Sequence, residues 1–177
     1  VFLHRTPERE REIDRAYRTA SQSLFIDEQD PAAHWAMGRA QWLRGCEEES
    51  LRELDLSVQL SPNFALGHYT LAFVHCQSGD PQAAVGFADY SRRLSPFDPM
   101  LFGMLATRAL GLVRLGQFEE AADWATKAAA RPNAHAHILG ITANCLAAAG
   151  RFEEARTFTA AIHETLPRYG IEDFLAA

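Results

Sequence analysis

Two histidines one residue apart, His135-Ala136-His137, are the pair in this chain that most invites a metal. Near a helix start, rings at that spacing point to different faces, and no third ligand lies nearby in the sequence. His68 and His75 are seven residues apart on one helical face, with Cys76 adjacent, a pattern that suits helix packing. The acid pairs Glu119-Glu120 and Glu153-Glu154 stand where helices begin and suit the positive end of the helix dipole there. Paired catalytic carboxylates would need a cleft, and these should face solvent. Ser21, Ser23 and Ser91 have no nucleophile-elbow context, and no glycine-rich phosphate loop occurs. The expectation is a chain with no catalytic residue, no metal and no cofactor.

The totals agree with a binding role. The chain has 177 residues, 47% of them hydrophobic and 10% aromatic, enough for a real core. Much of the apolar content is alanine, which favours helix and close helix packing. A formal charge of -6 and a pI near 5.6 argue against direct contact with nucleic acid. Cys46, Cys76 and Cys145 are odd in number and form no CxxC, so a reducing, cytoplasmic setting is expected. No apolar run reaches ~18 residues, so no membrane span is expected. The start at Val1 and a helix under way at Ile171-Glu172-Asp173-Phe174-Leu175 suggest a piece of a longer protein.

The elements that would position any binding residues are set by a repeat. Gly116-Gln117-Phe118-Glu119-Glu120-Ala121 returns 34 residues later as Gly150-Arg151-Phe152-Glu153-Glu154-Ala155. Gly79-Asp80-Pro81-Gln82-Ala83-Ala84 and, more faintly, Gly45-Cys46-Glu47-Glu48-Glu49-Ser50 mark the same place upstream. Each glycine is expected to end a helix in the left-handed conformation. A first helix should begin at Thr6-Pro7 and carry Ile13, Ala16, Tyr17, Ala20 and Leu24 on one face. Helix pairs then follow: 32–44 with 47–60, 65–78 with 81–94, 99–115 with 118–130, and 134–149 with 152–166. Pro62 and Pro96, again 34 apart, follow second helices that they cannot continue. The Gly79-to-Gly116 interval is 37 residues, which predicts a longer first helix in the third pair.

With its period of 34, glycine turns, alanine-rich second helices and terminal prolines, the chain resembles the tetratricopeptide repeat (TPR) family. Met37-Gly38 stands where TPRs carry Leu-Gly. The signature Trp is missing, and Tyr occurs only off-register at Tyr69. The resemblance implies an all-α, right-handed TPR superhelix of about four helix-turn-helix repeats plus flanking helices. Its units would be a half repeat at 1–30, repeats at 31–64, 65–98, 99–133 and 134–167, and the start of a further helix at 168–177, all in one domain.

In such a superhelix the first helix of each repeat lines a concave face. The glycine register assigns Trp35, Arg39 and Trp42 to that face, then Tyr69, Thr70 and Phe73. Thr107, Leu110 and Arg114 follow, then His137, Ile141 and Asn144. Aromatic and arginine side chains are the usual interface anchors, so a protein or peptide partner is expected in the groove. The alternative is that Trp35, Trp42, Tyr69 and Phe73 pack on an upstream repeat or on the first helix. A Lys/Asn and Lys/Arg clamp for a terminal carboxylate is not present, and Trp35 stands where its first Lys would be.

The wording Leu60-Ser61-Pro62-Asn63-Phe64-Ala65-Leu66-Gly67-His68-Tyr69, then Leu94-Ser95-Pro96-Phe97-Asp98-Pro99, then Gly116-Gln117-Phe118-Glu119-Glu120-Ala121, is similar to the C-terminal TPR region of bacterial adenylate/guanylate cyclase-type proteins. Related regions follow winged-helix domains in transcriptional regulators. This resemblance implies a sensory or assembly module and assigns no chemistry to the chain itself; a second expectation is self-association as a homodimer.

Overall fold

The computed structural model describes residues 8–175, and among them there are ten helices and no strand. They are α1 (Arg9–Ile26), α2 (Pro31–Leu43), α3 (Glu47–Leu60), α4 (Ala65–Gln77), α5 (Pro81–Leu94), α6 (Leu101–Arg114), α7 (Phe118–Ala129), α8 (Ala136–Ala148), α9 (Phe152–Thr165) and α10 (Ile171–Leu175). The expected cap and first helical position at Thr6 and Pro7 lie outside the described residues. From α1 through α9 consecutive helices pack on each other, and α2, α4, α6 and α8 also form a row of direct contacts. No helix among the described residues is long and apolar enough to cross a membrane.

Starts and stops follow local chemistry. Asp30 and Asp80 each accept a hydrogen bond from the backbone N–H two residues on, with Pro31 and Pro81 at the first helical position. Gly45, Gly116 and Gly150 have φ of +79°, +74° and +76°. At each, the glycine N–H and the next N–H reach back to close the helix, as in Gly45 to the Trp42 carbonyl and Cys46 to the Gln41 carbonyl.

Gly79 departs from that expectation: its φ is not positive. A β-carbon there would meet His75 Nδ1 at 2.6 Å and His75 Cα at 3.1 Å, so the position needs glycine for closeness. The turn closes through Asp80-Pro81 and through an arginine from the next helix pair. Arg114 donates to the carbonyls of His75, Cys76 and Gly79 at 2.9, 2.8 and 3.0 Å. Those bonds occupy carbonyls left over at the end of α4.

The third pair also differs from expectation. Its first helix, α6, has 14 residues, against 13 in α2, α4 and α8, so the helix takes up only one residue of the extra spacing. The rest sits in the link between Leu94 and Leu101, where Met100 is fixed at the start of α6 by donating its N–H to Asp98 Oδ1 at 2.8 Å.

Packing within pairs uses small residues. A β-carbon on Gly38 would lie 2.6 Å from Leu54 Cγ, so glycine is what lets α2 and α3 approach. Ser57 Oγ donates to the Pro31 carbonyl and Ser91 Oγ to the Ala65 carbonyl, both at 2.7 Å, tying each second helix to the first turn of its partner. The equivalent positions further on are Ala128 and Ile162, both buried. The main apolar cluster joins Phe102, Leu105, Leu112, Ala121, Ala125, Ile138 and Ile141. A smaller one around Leu54, Leu71 and Val74 takes in Trp35 and Trp42.

Candidate functional site

Consecutive first helices carry the residues that the glycine register picked out, and the structure divides them. Arg39 and Trp42 from α2, and Tyr69, Thr70 and Phe73 from α4, line one pocket of about 180 Å³. Leu43, Val74 and Met100 complete it. Those three were missed by sequence reasoning. Met100 had a visible signal, since it lies in the interval that breaks the 34-residue spacing.

The walls are held by specific contacts. Trp42 and Phe73 meet edge to face with centroids 5.0 Å apart. Trp35 stands beside the pocket, with its Nε1–H donating to Thr70 Oγ1 at 2.8 Å and its ring edge-on to Phe64. Thr70 in turn donates to the Leu66 carbonyl at 2.9 Å, so its hydroxyl is engaged on both sides. The Trp35 ring meets Phe64 just before α4, the Trp42 ring meets Phe73 on α4, and both pack on the cluster around Leu54, Leu71 and Val74. Arg39 lies over the Trp35 ring at 5.4 Å. Burial lowers its pKa from the ordinary arginine value, opposed by nearby Tyr69. Burial likewise raises the Tyr69 phenol, opposed by Arg39 and by a hydrogen bond with Thr107. A β-carbon on Gly103 would sit 2.4 Å from Tyr69 Oη, so the start of α6 gives way to that phenol.

The remaining residues go elsewhere. Thr107 is buried, Leu110 packs on the main cluster and Ile141 lies inside it. Arg114 spends its donors on the end of α4. His137 stacks on Phe174 of α10 at 5.0 Å, with Nδ1 3.4 Å from Tyr169 Oη. Burial, helped by the neighbouring His135, pulls its pKa down to about 4. Asn144 is exposed in an open depression shared with Gly140 and Phe174.

Among the described residues, His34, His68, Cys76 and Cys145 serve the fold. His34 is buried with Nδ1 2.7 Å from Glu53 Oε2 and Nε2 2.8 Å from the Glu28 carbonyl. Burial works against charge on that ring, but the Glu53 and Glu28 hydrogen bonds and the charges of Glu53 and Asp30 outweigh it, so its pKa is raised. His68, one repeat on, donates from Nε2 to the Pro62 carbonyl at 2.9 Å and stacks on Phe87. Burial pushes the Cys76 thiol up to about 11 and the Cys145 thiol up to about 12, which leaves both unreactive as thiolates. Among the described residues no group of three His, Cys, Asp or Glu is placed to hold a metal.

No family model matches the chain, and no curated protein matches it. Solved structures do. TTC0263, a thermophilic TPR protein of Thermus thermophilus, superposes with a TM-score of 0.76 at 20% identity, over 93% of this chain and 88% of its own. MamA gives 0.71 at 16% identity, over 90% and 94%. YrrB, described as a TPR protein with an unusual peptide-binding site, gives 0.66 at 16% identity, over 90% and 80%. At such identities the likeness concerns architecture, and the chain is an all-α, right-handed TPR superhelix.

Proposed function

We propose that the chain is a protein-interaction scaffold that holds a segment of a partner protein across α2, α4 and the start of α6. The observation that carries this reading is the pocket in which Arg39, Trp42, Tyr69, Thr70 and Phe73 converge. Aromatic rings and arginine in a partly enclosed hollow are what interface anchors are made of. One neighbour of the same fold is described by a peptide-binding site, which supports the same use of the architecture. Replacing Trp42 and Phe73 together by Ala should remove binding to arrayed peptides while far-UV circular dichroism keeps its helical shape. Undiminished binding by the double variant would refute the reading.

The Leu-Ser-Pro turns at 60–62 and 94–96, similar to those of cyclase-type proteins, support a further step. On that basis the scaffold is the regulatory or assembly module of a larger cytoplasmic bacterial signalling protein, and it performs no reaction of its own. The alternative is a dimerisation or effector module of a transcriptional regulator. A cyclase domain ahead of Val1 in the reading frame favours the first, and a winged helix there favours the second. Sedimentation over a range of concentrations addresses homodimerisation, and a strict monomer removes it.

A further inference from the structure

Four arginines among the described residues are half-buried, and three of them have carboxylate partners. Arg92 and Arg108 share Asp89 at 3.2 and 2.9 Å, and Arg108 also reaches Glu120 at 3.0 Å. Arg151 holds Glu154 at 2.7 Å and Asp123 at 3.2 Å. The fourth is Arg39, which has no carboxylate partner among the described residues and lies over the face of Trp35 with Tyr69 nearby. A guanidinium presents five N–H donors. Screening it partly from water weakens its hydration, and an aromatic face replaces only part of what is lost. The protein tolerates this at the rim of an apolar hollow.

The size and lining of that hollow say what fits. At about 180 Å³ it is smaller than the roughly 300–1,000 Å³ of sites that enclose a whole small-molecule ligand. It has room for one large apolar side chain against Trp42, Leu43, Phe73, Val74 and Met100. Of the polar groups on its wall, the Thr70 hydroxyl is already engaged as donor and acceptor. The Tyr69 hydroxyl is turned against Gly103 of α6, beside Thr107. Arg39 is therefore the lining residue whose charge awaits a partner. The chain as a whole is net negative, so selection of an anion here must be local, made by contact and not by a long-range field.

We propose that the pocket recognises a partner segment in which an Asp or Glu side chain lies within a residue or two of a Leu, Met or Phe. The apolar side chain fills the hollow, and the carboxylate takes the Arg39 fork, where a bidentate pair matches the planar guanidinium. This rests on the groove reading above and adds to it the chemistry of the occupant.

The test uses the full chain and capped peptides that carry one central Leu or Phe flanked by Glu, by Gln or by Lys, with fluorescence anisotropy as the readout. Glu peptides should bind about ten- to a hundred-fold tighter than their Gln counterparts, the usual range for a hydrogen bond to a charged group. Lys peptides should bind more weakly than either. Arg39→Gln should bring the Glu-to-Gln ratio to about one while the apolar contribution persists, and Arg39→Lys should keep part of the ratio. The fold of each variant is checked by its melting curve. Equal binding of Glu and Gln peptides by the wild type would overturn the proposal and leave the groove reading standing. A ratio that survives in Arg39→Gln, or affinity that follows a free C-terminal carboxylate instead of the side chain, also overturns it. If no peptide of any charge binds, the groove reading fails with it.

Discussion

Residues 31–98 and residues 99–165 repeat the same helix pair twice each, yet they are fastened differently. At the position eleven residues before the turn glycine, the first two repeats carry His34 and His68, and the last two carry Leu105 and Leu139. One place on, Trp35 and Tyr69 become Ala106 and Gly140. On the second helices, Ser57 and Ser91 become Ala128 and Ile162. The early half therefore closes with directed hydrogen bonds and large rings, and leaves a hollow. The later half closes mainly with Ala, Leu and Ile contacts, with Thr142 donating from α8 to the Ala125 carbonyl of α7, and α10 lays Phe174 against its Gly140. An identical backbone plan does not dictate an identical inner surface, because the bulk at two or three positions per turn decides what remains open.

The largest effect expected from this contrast is on binding. Trp42→Ala with Phe73→Ala should weaken peptide binding by more than ~100-fold, each being an anchor on the scale of about 2 kcal/mol or more. Leu110→Ala with Val113→Ala, the matching positions in the third repeat, should leave it unchanged in titrations. Equal losses from both pairs would erase the functional difference between halves.

Core truncation should show no such asymmetry. Leu54→Ala and Leu146→Ala, both fully buried, should each cost about 2–5 kcal/mol in urea unfolding. A much smaller cost in either would mean that its half is not packed as described.

Titration should separate the halves by sign. The raised pKa of His34 gives a contribution fully present below its unfolded value of about 6.5 and lost as pH rises through the folded value. His137, depressed to about 4, gives the opposite. Its contribution is intact above about pH 6.5 and declines as pH falls toward 4, by roughly 1–3 kcal/mol once solvent screening is allowed for. Thermal melts of His34→Gln and His137→Gln against pH should therefore diverge from wild type at opposite ends. Parallel curves would contradict the assigned environments.

Two smaller changes sharpen the comparison. Arg114→Ala should cost about 1 kcal/mol, because its three carbonyl bonds are partly exposed. Ala128→Ser, which would copy the Ser57 and Ser91 tie into the third repeat, should change stability by less than about 1 kcal/mol. A large loss on melting would show that the third pair lacks the same close approach.

Most of the helical plan is legible in the sequence because it depends on local rules. Asp-Pro starts, glycine stops and acids in first turns each act within a few residues. The pocket is half legible. Of its lining, Arg39, Trp42, Tyr69, Thr70 and Phe73 follow from register alone, whereas Leu43, Val74 and Met100 depend on how α2, α4 and α6 are offset. Arg114 shows the limit most clearly. By spacing it belongs to the inner face, but its reach across 35 residues to the Gly79 carbonyl is a tertiary event that no local pattern announces. The same event explains why Gly79 does not need the left-handed conformation of its three counterparts.

That borrowed closure has a consequence for how the rod comes apart. Three of its hairpins shut with their own backbone, but the hairpin at residues 65–94 is latched by a side chain belonging to its successor. Fraying that begins at the tail and reaches the end of α6 would unlatch the hairpin before it, so those two units should melt as one block. Hydrogen exchange would then find its step in protection on either side of that block, and not at the junction within it.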